Sequence, residues 1–162
     1  MVNVNDITDW RERTFSSLLS VVLVVGSVST VAIIPLLVKQ GLWPVALADS
    51  GALLWTYAVW RLERWRYTTR VLHFLAVVYL LAIALMFFVG PASLSYLLGP
   101  PLIAAILLNV RAAMLALLLG AVSLVAVGTG GHMTLNVPGW EHDPFKASLV
   151  AALNYSLSLI HI

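Results

Sequence analysis

The sequence contains no cysteine, and only 10% of its 162 residues are charged. Without thiols there is neither a disulfide-stapled secreted scaffold nor a Cys-ligated metal centre. The shortage of charge excludes an ordinary water-soluble domain, which carries about 25% Asp, Glu, Lys and Arg on its wet surface. It excludes a disordered, charge-rich segment as well. There is no phosphate-cradling glycine loop, no HExxH pair and no GxSxG elbow, and most acidic residues are scattered near predicted helix ends. No catalytic residue, metal or cofactor is therefore assigned, and the chain is not expected to be an enzyme within these residues. A net charge of +2 is too small a surplus to imply nucleic acid.

What the sequence does have is apolar bulk: 61% hydrophobic residues and a mean hydropathy of +0.97. A bilayer core of about 30 Å needs roughly 20 residues of helix, and six runs of about that scale stand out. They cover Thr14 to Val38, Pro44 to Trp60, Val71 to Val89, Ser93 to Val110, Ala112 to Gly128 and Pro144 to Ile162. The separators are short, with Arg111 alone dividing the fourth run from the fifth, and such tight connections make sequential helices antiparallel neighbours. The expected fold is thus all-α: a polytopic membrane protein, a six-transmembrane-helix antiparallel bundle forming one domain over residues 1–162. With the N-terminus inside, Arg11, Arg13, Arg61, Arg64, Arg66, Arg70 and Arg111 lie on the cytoplasmic side, leaving Lys39 and Lys146 outside. That bias places both termini in the cytoplasm.

Local signals mark several ends. Asp9 with Glu12 has capping-box spacing and is expected to begin the first helix, and Asp143-Pro144 is a cap and first-turn proline for the last. Trp10, Trp43, Trp60, Trp65 and Trp140 fall near expected ends, where an aromatic belt meets the headgroups, and only Trp55 lies within a span. The sixth run reaches Ile162 with no basic anchor behind it, so the sequence reads as the N-terminal part of a longer protein.

Four residues are candidates for a ligand site: Asp49, Tyr96, Pro100 and Asn154. Asp49 is the exception in a nearly charge-free interior, and a mid-bilayer carboxylate costs about 2.5–3.5 kcal/mol on insertion scales, so it is expected to face the bundle or a wet cavity. Gly99-Pro100-Pro101 lacks two amide donors and cannot be regular helix interior, so the fourth span must bend or break there. Broken backbone at membrane depth is tolerated against protein or water, which makes the break a pocket wall. Asn154 is a polar amide in mid-span, and Tyr96 precedes the break. Ser27, Ser29, Thr30, Tyr57, Tyr79, Ser123 and Tyr155 read as ordinary interhelical hydrogen-bonding groups, worth about 0.6 kcal/mol each. Two small-residue stripes, Ala112, Ala116 and Gly120 and then Ser148, Ala152 and Ser156, are expected to pack helices closely, within the chain or across a dimer. His132, Glu141, His142 and Asp143 sit in one long outer loop without metal-ligand spacing. His73 and His161 have no evident partner. The stretch from Trp60 to Arg70 interleaves cations and aromatics, enough for topology and interface anchoring and suited to anionic lipid.

Several stretches resemble a known family. Trp10-Arg11-Glu12-Arg13 before the first helix, Arg66-Tyr67-Thr68-Thr69-Arg70 before the third, the run from Pro101 to Ala113 and the polar step Leu153-Asn154-Tyr155 are similar to the integral-membrane sensory regions, of the MASE type, of bacterial sensor histidine kinases and diguanylate cyclases. A glycine commonly stands in that family where this chain has Asn109. The resemblance covers essentially the whole chain. It implies a homodimer in the bacterial inner membrane that binds a small hydrophobic signal, and a last helix leading into a cytoplasmic output domain of the same chain. The alternative is the substrate-binding membrane subunit of a vitamin-type importer, and a scaffold without ligand is a third reading.

Overall fold

The computed structural model describes residues 4–62, 64–89, 91–129 and 143–160. The described chain is all-α and 91% helical, so most of its backbone hydrogen bonds close within its own segments, as a lipid solvent favours. The helices are α1 (Val4–Lys39), α2 (Trp43–Arg61), α3 (Tyr67–Phe88), α4 (Gly99–Leu107), α5 (Val110–Thr129) and α6 (Pro144–Ile160), with a 3-10 helix over Pro91–Leu98. Three of these, α1 from Asp9 onward, α3 and α5, are long and apolar enough to cross a membrane.

Most boundaries follow from local chemistry. α1 ends at Lys39 before Gly41, whose φ of 75° is left-handed backbone that favours glycine. α2 opens on Trp43-Pro44, with proline in the first turn where its missing amide costs nothing. α6 begins as expected: the Asp143 carboxylate accepts from the Lys146 amide at 3.2 Å, and the Lys146 ammonium pairs with it at 3.0 Å. The Lys146 side chain, and then the backbone amides, hold the Asp143 carboxyl below its usual value. A depressed folded-state pKa gives a contribution that is whole above the unfolded value, near 3.9, and is lost as pH falls through the folded one. Protection of the Lys146 amide, taken relative to the intrinsic exchange rate at each pH, should therefore be whole at neutral pH and fall only below about pH 4, and Asp143→Asn should remove that step.

Three boundaries differ from expectation. α1 is already helical from Val4, so Asp9 and Glu12 lie inside it and form no capping box; good helix formers such as Arg11, Glu12 and Arg13 carry the helix through that stretch. Arg111 is in the first turn of α5, not a separator, because Asn109 caps that helix by accepting from the Ala112 amide at 2.9 Å. The fourth expected span is a 3-10 helix followed by a nine-residue α-helix about 14 Å long. Gly99, Pro100 and Pro101 form the first turn of α4, where proline is tolerated, so the irregularity falls before them and not within them.

By its contacts the chain divides at Val77/Val78 into two compact units, with α3 contributing to both. In the first unit α1 packs along α2, and Phe15 is fully buried, edge-on to Tyr67 and Phe74 of α3 at 5.9 Å each. In the second, α5 packs against α4 and α6, around a core of Ala82, Met86, Leu97, Leu124, Val127, Ala152 and Tyr155.

Candidate functional site

In the first unit a cleft of about 520 Å³ opens between α1 and α2. Its walls are mainly apolar, from Leu23, Val31, Ile34, Leu53 and Leu54, with the hydroxyl groups of Ser27, Thr30, Ser50 and Tyr57 set into them. Asp49 is not one of its lining residues but is bonded to one of them, Thr30, and precedes another, Ser50. Half-buried, its Oδ2 accepts a 2.9 Å hydrogen bond from the buried Thr30 hydroxyl across the helix pair. Ser50 beside it donates back to the Ala46 carbonyl at 2.7 Å, which turns its hydroxyl into its own helix. Gly26 lets the two helices close: a Cβ there would stand 2.7 Å from the Leu53 Cδ2. Thr30 and Gly26 are thus the residues that build the environment of Asp49. Composition alone cannot single out Thr30 from the other hydroxyls of α1; only the pairing of α1 with α2 does.

At the other end of this unit Arg70 is buried, and its guanidinium closes the C-terminus of α2. Nε donates to the Val59 carbonyl at 3.1 Å and an Nη to the Trp60 carbonyl at 3.4 Å, with the group 5.6 Å from the Phe15 ring centroid. These are carbonyls that a helix end leaves without partners. His73, which the sequence left unassigned, lies between the rings of Trp65 and Trp55 at centroid distances of 5.0 and 5.8 Å. Arg61, Arg64 and Arg66 are exposed and form no ion pair among the described residues.

In the second unit the site of interest is the start of α4. Pro100 and Pro101 have no amide hydrogen, so the Leu97 carbonyl can be satisfied neither by the 3-10 nor by the α-helical bond. The Tyr155 hydroxyl of α6 donates to it at 2.9 Å, in a buried position. To get there it crosses α5 at Gly120, where a Cβ would come within 2.3 Å of that hydroxyl. Tyr79 donates to the Leu119 carbonyl one residue earlier, at 2.8 Å, and also meets the Ser123 hydroxyl. A second groove, of about 420 Å³, runs between α5 and α6 and is lined by small and aliphatic residues including Ala121, Val125, Ala152 and Ser156.

Of the four candidate ligand residues, Asp49 belongs to the first unit, and Tyr96, Pro100 and Asn154 to the second. Pro100 is fully buried, whereas Tyr96 and Asn154 are exposed on their helices. Of the small-residue stripes, Gly120, Ser148 and Ala152 are buried, and Ala112, Ala116 and Ser156 are half-buried. His132, Trp140, Glu141, His142 and His161 lie outside the described residues.

A family model, MASE11, of the membrane-associated sensory type, matches residues 9–160. No curated protein matches, and no solved structure does.

Proposed function

The chain belongs to the MASE11 family, and from that premise we propose that it is the membrane-embedded, non-catalytic sensory module of a bacterial signalling protein. It binds a small hydrophobic signal and passes a helix displacement through α6 to a cytoplasmic output domain, of the histidine kinase or diguanylate cyclase kind. In this reading the chain crosses the inner membrane six times as a homodimer with both ends in the cytoplasm, and Asp49, Tyr96, Pro100 and Asn154 contribute to signal binding. The carrying observation is the family match over 152 residues, from 9 to 160. It favours sensing over an importer subunit.

The physical support is threefold. Three helices have bilayer length and hydropathy, which makes a membrane the natural solvent. The half-buried Asp49 carboxylate accepts from the Thr30 hydroxyl across the helix pair, and an ionisable residue within a membrane helix is a functional hypothesis by default. α6 is tied by Tyr155 to the segment preceding α4, so a rearrangement at that segment is felt by the helix that leads out. A signal shifts the output only by its difference in affinity between two arrangements of the bundle.

The test uses the full-length protein in its native membrane, with phosphotransfer and cyclic dinucleotide synthesis both recorded. Asp49→Ala and Asn154→Leu should each move basal output by about threefold or more, as expected when somewhat under 1 kcal/mol is removed from one of two balanced states. Unchanged output in both variants, at equal membrane levels, contradicts the proposed site.

A further inference from the structure

We propose that the arginine-rich end of the first unit is a docking surface for anionic phospholipid, on which the exposed side chains of Arg13, Arg61, Arg64 and Arg66 hold headgroup phosphates. The proposal rests on the membrane-spanning reading of the chain and not on a signal or an output domain.

The depth of these residues follows from the pairing of α1 with α2. Thr30 meets Asp49 and Gly26 meets Leu53, so in this antiparallel pair every step along one helix is a step back along the other. Continued to the end of α2, the same register sets Trp60 level with Leu19 and Arg61 level with Leu18. The contacts at that end agree. Tyr67 and the Arg70 guanidinium both lie against the Phe15 ring, at 5.9 and 5.6 Å, so the chain leaving α2 enters α3 beside α1. Arg11 is near enough to Tyr67 for its charge to act on that hydroxyl.

Along α1, Trp10 and Lys39 are about 44 Å apart, the thickness of a bilayer with its headgroups. Trp10 therefore falls at headgroup level and Arg61 about 12 Å nearer the bilayer centre, close to the hydrocarbon boundary. From there a long side chain reaches outward to the phosphates. The indoles of Trp10, Trp60 and Trp65 are exposed at this same end, as rings at that boundary are.

Charge selects the partner. Residues 1–20 and 58–70 carry six arginines against four carboxylates. Among the described residues the one ion pair is Lys146 with Asp143 in the second unit, so no described carboxylate engages these arginines. Arg70 is committed to the Val59 and Trp60 carbonyls, which leaves the exposed four. A phosphate accepts two parallel N–H groups from a guanidinium. A zwitterionic headgroup brings its own cation to this surface, whereas phosphatidylglycerol brings a net negative charge, and the surplus of arginine favours the second.

The experiment is electron paramagnetic resonance on the full chain in phosphatidylcholine vesicles holding a minor share of phosphatidylglycerol, with a trace of either lipid spin-labelled as probe. Lipid held at the protein surface gives a motionally restricted signal. The anionic probe should be favoured about fivefold over the neutral one, the factor that one basic side chain near an anionic surface supplies. Both leaflets hold the lipid, so the reading does not depend on which way the chain inserts. Arg61→Gln, Arg64→Gln and Arg66→Gln combined should abolish the preference, the same three positions as Lys should retain most of it, and Lys39→Gln at the other end of α1 should leave it unchanged. Equal restriction of both probes by the unaltered chain overturns the proposal, as does a preference that survives in the triple Gln variant. Inorganic phosphate that removes the preference better than chloride of equal ionic strength overturns it in favour of a soluble anion. Restriction of neither probe would overturn the membrane reading along with it.

Discussion

Gly120→Ala is expected to destabilise the unit from Val78 to Ile162 by about 2–3 kcal/mol, although alanine is ordinarily the better helix residue by about 1 kcal/mol. The added Cβ would come within 2.3 Å of the Tyr155 hydroxyl and within 3.0 Å of two of its ring atoms. The tyrosine must swing away, and its bond to the Leu97 carbonyl goes with it. Overpacking costs about 1–3 kcal/mol, and a buried carbonyl left without a donor about 1–3 more. The propensity gain is too small to offset both. Tyr155→Phe isolates the second part: the ring still fills its place between α5 and α6, and only the donor is lost, for about 1–2 kcal/mol. In the double variant the hydrogen bond cannot be lost twice, so the combined loss should fall short of the sum by about 1 kcal/mol. Gly51→Ala in α2 is the control, because a Cβ there meets nothing within 4 Å; it should be neutral or stabilising. Thermal unfolding in detergent, followed by far-ultraviolet circular dichroism, measures all four. A Gly120→Ala protein as stable as the parent would mean that Tyr155 does not depend on this crossing.

Part of this was legible beforehand. The apolar runs gave six α-helices and the ends of most of them, because hydropathy and the Asp143-Pro144 cap act locally and need no knowledge of the fold. Asp49 stood out for the same reason, as a charge surrounded by hydrocarbon. Pro100-Pro101 announced an interruption, yet the location of the break and the donor that repairs it were not readable. Proline forbids the amide bonds of the preceding turn, but any hydroxyl in the chain could have answered the Leu97 carbonyl. Tyr155 is selected by being opposite a glycine on a helix that lies between, a relation across 35 residues that no local pattern records. Thr30 was hidden likewise among equivalent hydroxyls until α2 turned Asp49 toward it. The misreadings at Asp9 and Arg111 have different causes. At Asp9 a capping-type spacing suggests a start, whereas helix propensity carries α1 through it; at Arg111 the lone charge suggests a separator, whereas the break falls two residues earlier, where the Asn109 side chain caps α5.

The basic residues between α2 and α3 look interchangeable in sequence, and a positive-inside argument weights them all equally. Their burial says otherwise. Arg64 and Arg66 are exposed, and replacing either with Gln should change stability by no more than about 0.5 kcal/mol. Arg70 is 8% exposed and donates to two carbonyls of the last turn of α2 from above the Phe15 ring. Arg70→Met keeps the volume of the stem and removes every donor. The Val59 bond is the shorter of the two, and a buried acceptor left bare costs about 1–3 kcal/mol. The longer Trp60 bond and the cation–π contact add about 0.5–2 together, so the expected loss is about 2–4 kcal/mol. Arg70→Lys decides between the two roles a cation can have here. Lysine retains the charge that orients the segment but has no planar fork to span two carbonyls, so it should recover membrane topology fully and stability by less than half. Hydrogen exchange at the amides of the final turn of α2, read in detergent micelles, should then be fast in Arg70→Met, intermediate in Arg70→Lys and unchanged in Arg64→Gln. Were the lysine variant as protected as the parent, charge near the helix C-terminus would suffice, and the hydrogen bonds to Val59 and Trp60 would contribute little.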